Sequence, residues 1–459
     1  MQKKALLALM LAMTLLLSGC ALIVKDAEVD AKTPILTAGD TVVTKAEVQE
    51  AVNSQLYQMA YLYSMYGYSY DTTDPDNIAS AQESAIQALK EDLVIKRKIE
   101  ELGIRLDEEE ETKAMESAQS DYDSDVEYAK TTLLADSGLE GDELTEAAKA
   151  KVEESGVTLE TYQEEERMSA LKSKLREEVI KDVTVSEEEL KEEFDKRVAD
   201  DQEKYDEHPG TYASAVNNGT TVYFSPSGVR RVKQILTKFH DEDQTKIDEA
   251  TSKVSEANGA VTEATSKVSD AQAILDSEEA TEEEKTQAQT DLEAAEAEVT
   301  AANEALTAAE AELDAAREAA FAALDEEVDA ILADLDGGAD WDTLMAEKNQ
   351  DPGMQSGTAA EKGYAVAADM TDFDPAFVEA AMALEKIGDY SGKVKGNAYG
   401  YYIIRYLADE PVGEVDLETV RDTITSSLLS TNQSNKYNET LAQWVEDAGF
   451  KVDLNALKD

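Results

Sequence analysis

Apolar residues follow different periods in different parts of this 459-residue chain, and each period predicts its own kind of element. From residue 33 to about 205 the spacing is mostly helical. Ile35 to Val43 reads as a short strand-like piece turning at Gly39-Asp40, and Thr44 caps a helix beginning Lys45-Ala46-Glu47-Val48. Leu93, Val94, Ile95, Ile99 and Leu102 belong to a helix from Ala79 to Leu102 that Gly103 stops. Another helix runs from about Leu159 to Lys181, and Ser186 with Glu189 has capping-box spacing. His208-Pro209-Gly210 and Asn217-Asn218-Gly219 are turn signals, so a domain boundary is expected between Asp206 and Gly228.

The pattern then becomes that of a sheet. Val229-Arg230-Arg231-Val232-Lys233-Gln234-Ile235-Leu236 reads as a strand. Near the other end, Phe377 to Leu384 is a buried helix end and Gly388-Asp389-Tyr390-Ser391-Gly392-Lys393-Val394 a turn into a short strand. Tyr399-Gly400-Tyr401-Tyr402-Ile403-Ile404 is a hairpin and an apolar last strand. Asp416 to Ala448 is again helical, with Trp444 expected in a core.

Between these strands the period is seven. Ile247, Val254, Val261, Val268 and Leu275 recur at heptad spacing, with Ala250, Ala257, Ala264 and Ala271 on the accompanying d positions. Leu292, Val299, Leu306 and Leu313 repeat the pattern with Ala295, Ala302, Ala309 and Ala316. Glu249 to Ser255 returns unchanged as Glu263 to Ser269. The pattern breaks at Asp276 to Ala280, and Thr281 with Glu284 is a capping box for a second helix. An antiparallel two-helix coiled-coil hairpin is predicted over 241–319, roughly 50 Å long at about 1.5 Å per residue. Alanine at d lets the helices approach closely. The second helix is expected to run on into a helix at Ala322 to Leu335.

Charge and the N-terminus narrow the setting. The formal net charge is −58, which repels phosphate backbones and argues against nucleic-acid partners. Acids greatly outnumber bases in the hairpin, which reads as a solvated spacer, as a client- or partner-binding arm, or as a segment for intermolecular pairing. Lys3 and Lys4 precede an apolar run from Ala5 to Leu17, too short for a bilayer core of about 30 Å but suited to a signal peptide. Leu17-Ser18-Gly19-Cys20 resembles the bacterial lipobox, so residues 1–19 are expected to be removed and Cys20 lipidated. Residues 20–32 would form a tether, and the protein would sit extracytoplasmically, lipid-anchored to a bacterial membrane. Cys20 is the only cysteine, which excludes intramolecular disulfides and multi-Cys zinc sites. No cofactor or metal is expected.

The strand beginning at Val229, the helix at Phe377 and the hairpin at Gly400 together resemble the parvulin (PpiC) type of peptidyl-prolyl isomerase. The helical order before them resembles the chaperone domain of the SurA and PrsA extracytoplasmic foldases. This implies an α+β chain in which a helical chaperone domain (33–205) precedes a parvulin βα3β3 domain (228–240 and 320–408) interrupted by the hairpin. A C-terminal helical segment (409–459) would return to the N-terminal domain. The implied partners are unfolded or proline-containing secreted polypeptides.

Carried onto this sequence, the family's polar cluster falls on Asp351, Gln234 and Tyr402, the latter two standing where the family has histidine. The proline pocket falls on Met370 and Phe377, with Phe373 competing for the methionine's space. An X-Pro bond faces a rotation barrier of about 18–20 kcal/mol from amide resonance, and crossing it needs no nucleophile and no proton transfer. Gln and Tyr can still hydrogen-bond, so isomerase activity is expected to survive in some measure. The alternative is a non-catalytic holdase or scaffold with a degenerate parvulin domain and a coiled-coil interaction arm. A transporter's solute-binding lipoprotein fits poorly, because the alternating strand–helix pattern of two α/β lobes is missing. His208 and His240 lack metal-ligand company. Tyr57, Tyr61, Tyr63, Tyr66, Tyr68 and Tyr70, with Met59 and Met65, read either as a client contact or as a helix end packed on its own domain.

Overall fold

Thr44 begins the first long helix as its sequence predicts. The Glu47 amide donates to Thr44 Oγ1, and the Thr44 amide donates to Glu47 Oε2 at 2.7 Å, closing a capping box. The structure, a computed structural model, describes residues 27–457 except Ser155. The signal segment and Cys20 lie outside the described residues. Contacts divide the chain into two compact units: one holds the residues up to Ser186 and from Thr425 onward, the other Glu187–Ile424. No helix among the described residues is long and apolar enough to cross a membrane.

In the first unit, α1 (Ala27–Ala31) precedes the hairpin of β1 (Pro34–Ala38) and β2 (Thr41–Thr44). Then come α2 (Lys45–Met65), α3 (Pro75–Glu101), α4 (Glu108–Tyr128), α5 (Gly141–Glu153) and α6 (Leu159–Ile180), with one π-helical turn at Ala129–Leu133. Val48, Val52 and Leu56, one face of α2, pack with Ile35 and Leu36 of β1 and Ala81, Ala85 and Ile86 of α3. The end of the chain belongs to this unit: its terminal strand Lys451–Val452 pairs antiparallel with β1. Trp444 packs against Ile99, Leu171 and Leu175.

The second unit opens with α7 (Glu187–Tyr205) and α8 (Pro209–Asn217), then β3 (Phe224–Ser225) and β4 (Arg230–Lys238). The compact division falls at Ser186/Glu187 and Ile424/Thr425, outside the boundary expected between Asp206 and Gly228. Pro209 and Gly219 mark the two ends of α8, a helix folded into this unit. Tyr205 and Tyr212 meet edge-on at 5.6 Å and share a core with Val232 and Phe377.

Two long helices follow, α9 (Asp241–Asp276) and α10 (Glu282–Asp336). Thr281 and Glu284 form the capping box. Lys253 pairs with Glu312, and Lys267 with Glu298 at 2.8 Å, so partners ascend one helix as they descend the other. The helices are antiparallel. Ala264, Ala271, Ala288 and Ala295 are buried between them. The larger Val254, Val261, Val268, Leu292 and Val299 stay half-buried along the seam. α10 continues unbroken into the unit, where Phe321, Leu324, Val328 and Ile331 are buried.

The remainder is α11 (Trp341–Lys348), a 3₁₀ turn at Pro352–Met354, α12 (Gly357–Lys362), β5 (Tyr364–Val366), α13 (Pro375–Ala383), β6 (Val394–Lys395), β7 (Gly400–Asp409) and β8 (Gly413–Glu414). Helix α14 (Leu417–Asp447), β9 (Lys451–Val452, the terminal strand) and a 3₁₀ turn at Leu454–Leu457 follow. The main sheet is antiparallel, in the order β5-β4-β7-β6. Strand alternation gives it two different faces. Val232, Leu236, Tyr402 and Ile404 face a core shared with α8 and α13. Ile235, Tyr401 and Ile403 face the lower part of α10 and Trp341.

Candidate functional site

The first of those faces carries an open cleft of about 600 Å³. Register puts Gln234 opposite Ile404 and Leu236 opposite Tyr402, so Gln234 and Tyr402 emerge on the same side of neighbouring strands. β5 pairs with β4 only over Arg230 to Val232. Past that point the β4 edge is satisfied by the loop after α11. The Leu236 amide donates to Asn349 Oδ1 at 2.8 Å, the Lys238 amide to Gln350 Oε1 at 2.7 Å, and the Gln350 amide to the Leu236 carbonyl at 2.9 Å. These bonds answer the need of buried backbone groups for partners, and they set the next residue, Asp351, over the cleft.

Asp351 is buried. Its Oδ2 accepts from Gln234 Nε2 at 2.7 Å and from the Tyr364 hydroxyl at 3.0 Å, and its Oδ1 accepts from the Gly353 amide at 2.9 Å. A buried carboxylate is tolerated when several donors surround it. Gly353 is sterically required here, because a Cβ would lie 1.9 Å from the Tyr364 hydroxyl. Burial, and then the Asp351 carboxylate, push the Tyr364 hydroxyl well above the usual tyrosine range.

Tyr402 does not join this cluster. Its hydroxyl belongs with Asp374, and burial followed by that carboxylate raises it above the usual range. The hydroxyl that donates to Asp351 is that of Tyr364, on β5. Asp374 has further work: it caps α13 through the Ala376 amide at 3.0 Å and accepts from the Asn397 amide at 2.5 Å and Asn397 Nδ2 at 3.0 Å. It thereby fastens the turn between β6 and β7 to the cleft wall.

The apolar floor is a run of edge-to-face rings. Tyr364 meets Phe373 at 5.0 Å, Phe373 meets Phe377 at 5.5 Å, and Phe377 meets Tyr402 at 5.4 Å. Phe373 and Phe377 both line the cleft. Met370 does not; it is buried in the core behind the floor. Gly210 of α8 sits directly on its backbone, and the Gly210 amide donates to Asp369 Oδ1 at 2.7 Å. Of the two residues competing for the methionine's space, Phe373 is the one that lines the cleft. The cleft thus gathers Asp351, Gln234, Tyr402, Phe373 and Phe377 and leaves Met370 out. Sequence reasoning missed Tyr364, Asn397 and Asp374. Only Asp374 carried a readable signal, an Asp before Pro at a helix start. His208 and His240 lie at the starts of α8 and α9, outside the cleft.

No family model matches the chain. Among curated proteins it is similar to the foldase protein PrsA 2 of Listeria innocua serovar 6a, 39% identical over 90 residues, and to that of Listeria monocytogenes, 37% over 87. Each alignment covers 19% of this chain and 29% of the relative. The foldase protein PrsA of Clostridium tetani is 28% identical over 123 residues, 27% of this chain and 34% of the relative. Among solved structures, a SurA-like chaperone of Campylobacter jejuni aligns over 91% of this chain and 98% of its own, with 13% identity and a TM-score of 0.24. The foldase PrsA of Streptococcus pneumoniae aligns over 93% and 97%, with 13% identity and a TM-score of 0.23. Superpositions this loose leave the fold resting on its own topology. Across the stretches that align, this mostly helical chain with small sheets resembles the PrsA foldases.

Proposed function

We propose that this chain is a membrane-anchored extracytoplasmic foldase whose second unit is a parvulin-type peptidyl-prolyl isomerase domain, split by the α9–α10 arm. Its substrates are X-Pro segments of unfolded secreted polypeptides, which the helical unit also binds. Lipid on Cys20 provides the anchor, and replacing Cys20 with Ser is expected to abolish metabolic labelling with fatty acid.

The observation that carries this reading is the Asp351–Gln234–Tyr364 cluster set against the aromatic floor of Phe373 and Phe377. A proline ring suits such a floor. The planar amide owes its barrier to charge separation between carbonyl oxygen and nitrogen. An aromatic-lined cleft stabilises the twisted, less polarised amide relative to the planar one, and each 1.4 kcal/mol of that difference is worth about tenfold in rate. Asp351 holds Gln234 and Tyr364 in place, so the cleft is preorganised before the peptide arrives. No group has to give or take a proton.

The test is cis–trans exchange of a short X-Pro peptide with the intact protein and with Asp351→Ala. The proposal expects acceleration by the first and its loss in the second. No acceleration above background by the intact protein would overturn the enzyme reading. Gln234 and Tyr402, standing at the family's histidine positions, favour a second reading: a non-catalytic holdase. That reading expects suppression of client aggregation by a protein that does not accelerate exchange.

A further inference from the structure

The end of α2 carries a feature that isomerase chemistry does not use. From Ala51 to Tyr70 the sequence has no Asp, Glu, Lys or Arg, in a chain that is 31% charged. Within that run Met65, Tyr66 and Tyr68 are 63%, 73% and 70% exposed, and Tyr61, Leu62 and Tyr63 are exposed as well. Large apolar side chains cluster this densely at no other exposed place among the described residues.

The backbone beneath them is closed. The Gly67 amide donates to the Ser64 carbonyl at 3.1 Å and the Tyr68 amide to the Tyr63 carbonyl at 3.0 Å, the paired bonds of a Schellman turn, with Gly67 at φ +77°. Ser64 Oγ donates to the Tyr61 carbonyl at 2.7 Å, and the Tyr63 and Tyr70 rings meet at 5.0 Å. The turn holds Tyr66 and Tyr68 outward on a rigid base. Rigid aromatic side chains on an ordered turn lose little entropy when something binds them.

We propose that this α2 tip is a docking surface for uncharged, apolar segments of unfolded polypeptide, independent of proline. The inference rests on the foldase reading and places its client contact. Tyr, Ser, Gly and Met are the composition of adaptable polypeptide-binding surfaces. A membrane-surface helix would instead pair its apolar side with Lys or Arg, and none lies in this run. The net charge of −58 sets the same choice: an anionic membrane and a second copy of the chain both repel the molecule, whereas an uncharged peptide pays no such cost.

The test uses the full chain and a fluorescent, uncharged, proline-free peptide of Leu, Phe, Ser and Gly, read by fluorescence anisotropy. The Tyr66→Ser/Tyr68→Ser variant replaces two exposed side chains, so its unfolding midpoint should match wild type. Its Kd is expected to rise about tenfold or more, while Tyr399→Ser, which removes an exposed ring lining the cleft, leaves Kd unchanged. An unchanged Kd in the double variant would overturn the placement and leave client binding intact. No binding by wild type would overturn the foldase reading's client contact as well. Tyr66- and Tyr68-dependent co-sedimentation with phosphatidylcholine vesicles, or a Tyr-dependent dimer in analytical ultracentrifugation, would overturn the occupant in favour of lipid or a second copy.

Discussion

Tyr364 and Tyr402 in the cleft, and Tyr66 and Tyr68 at the α2 tip, are the same side chain in opposite surroundings. The first pair is buried or half-buried among rings, with hydroxyls beside Asp351 and Asp374. The second pair stands in solvent on a closed turn. A tyrosine with an acceptor in reach and rings around it becomes part of a fixed scaffold. A tyrosine on an ordered but uncovered turn keeps its ring in solvent. The difference lies in the neighbours that topology brings, and it predicts that substitution in the cleft costs stability while substitution at the tip costs only binding.

The largest expected contrast is Phe377→Ala, which removes the centre of the ring run. It should destabilise the second unit by about 3–5 kcal/mol, against less than about 0.5 kcal/mol in the first unit for Tyr66→Ser/Tyr68→Ser. The two tryptophans make the reading separable: Trp341 lies in the second unit and Trp444 in the first. Urea denaturation followed by fluorescence in a Trp444→Phe background reports on the second unit alone. A small loss for Phe377→Ala would mean that the floor is not a packed core.

Glycines sharpen the same comparison. Gly400 and Gly67 both have positive φ, at +139° and +77°. A Cβ at Gly400 would lie 2.1 Å from the Thr237 carbonyl oxygen, whereas one at Gly67 meets nothing within 4 Å. Gly67→Ala should cost about 1–2 kcal/mol, the strain of a left-handed residue. Gly400→Ala should exceed it, because β4 and β7 must also part. Equal losses would contradict the close approach that places Tyr402 beside the cleft.

Smaller again is Tyr364→Phe, which removes one donor from Asp351 and keeps the ring. A loss of about 1 kcal/mol is expected, with a lower exchange rate. No change in either would remove Tyr364 from the site. Alkaline pH probes the same tyrosines together. Their folded-state values are raised, so their contribution is complete below the unfolded tyrosine value of about 10 and is lost as pH climbs through the folded values. The unfolding midpoint of the second unit should therefore hold through neutral pH and fall above about 10.

Much of this was legible in the residues. The Thr44 and Thr281 capping boxes, the stop at Gly103 and the alternation of Gln234, Leu236 and Tyr402 onto one face follow from local chemistry and strand period. Asp351 beside Gln234 followed from a resemblance. What escaped depended on contacts distant in sequence. Tyr364 reaches Asp351 only because β5 lies against β4 and Gly353 leaves room for a hydroxyl. Met370 lies outside the cleft lining, and Gly210 of α8, where only turn signals were legible, packs on its backbone. The tip's tyrosines were visible as a run, but whether anything covered them was a tertiary fact.

The cleft's central claim is that Gln, Tyr and Asp carry amide rotation without imidazole. It is tested most directly by NMR exchange of an uncharged X-Pro peptide with the intact protein at about pH 6 and about pH 9, either side of the ordinary histidine range but below tyrosine titration. The account predicts acceleration over the peptide alone, equal at the two pH values. Absence of acceleration, or a rate that switches between them as an imidazole titrates, would contradict it.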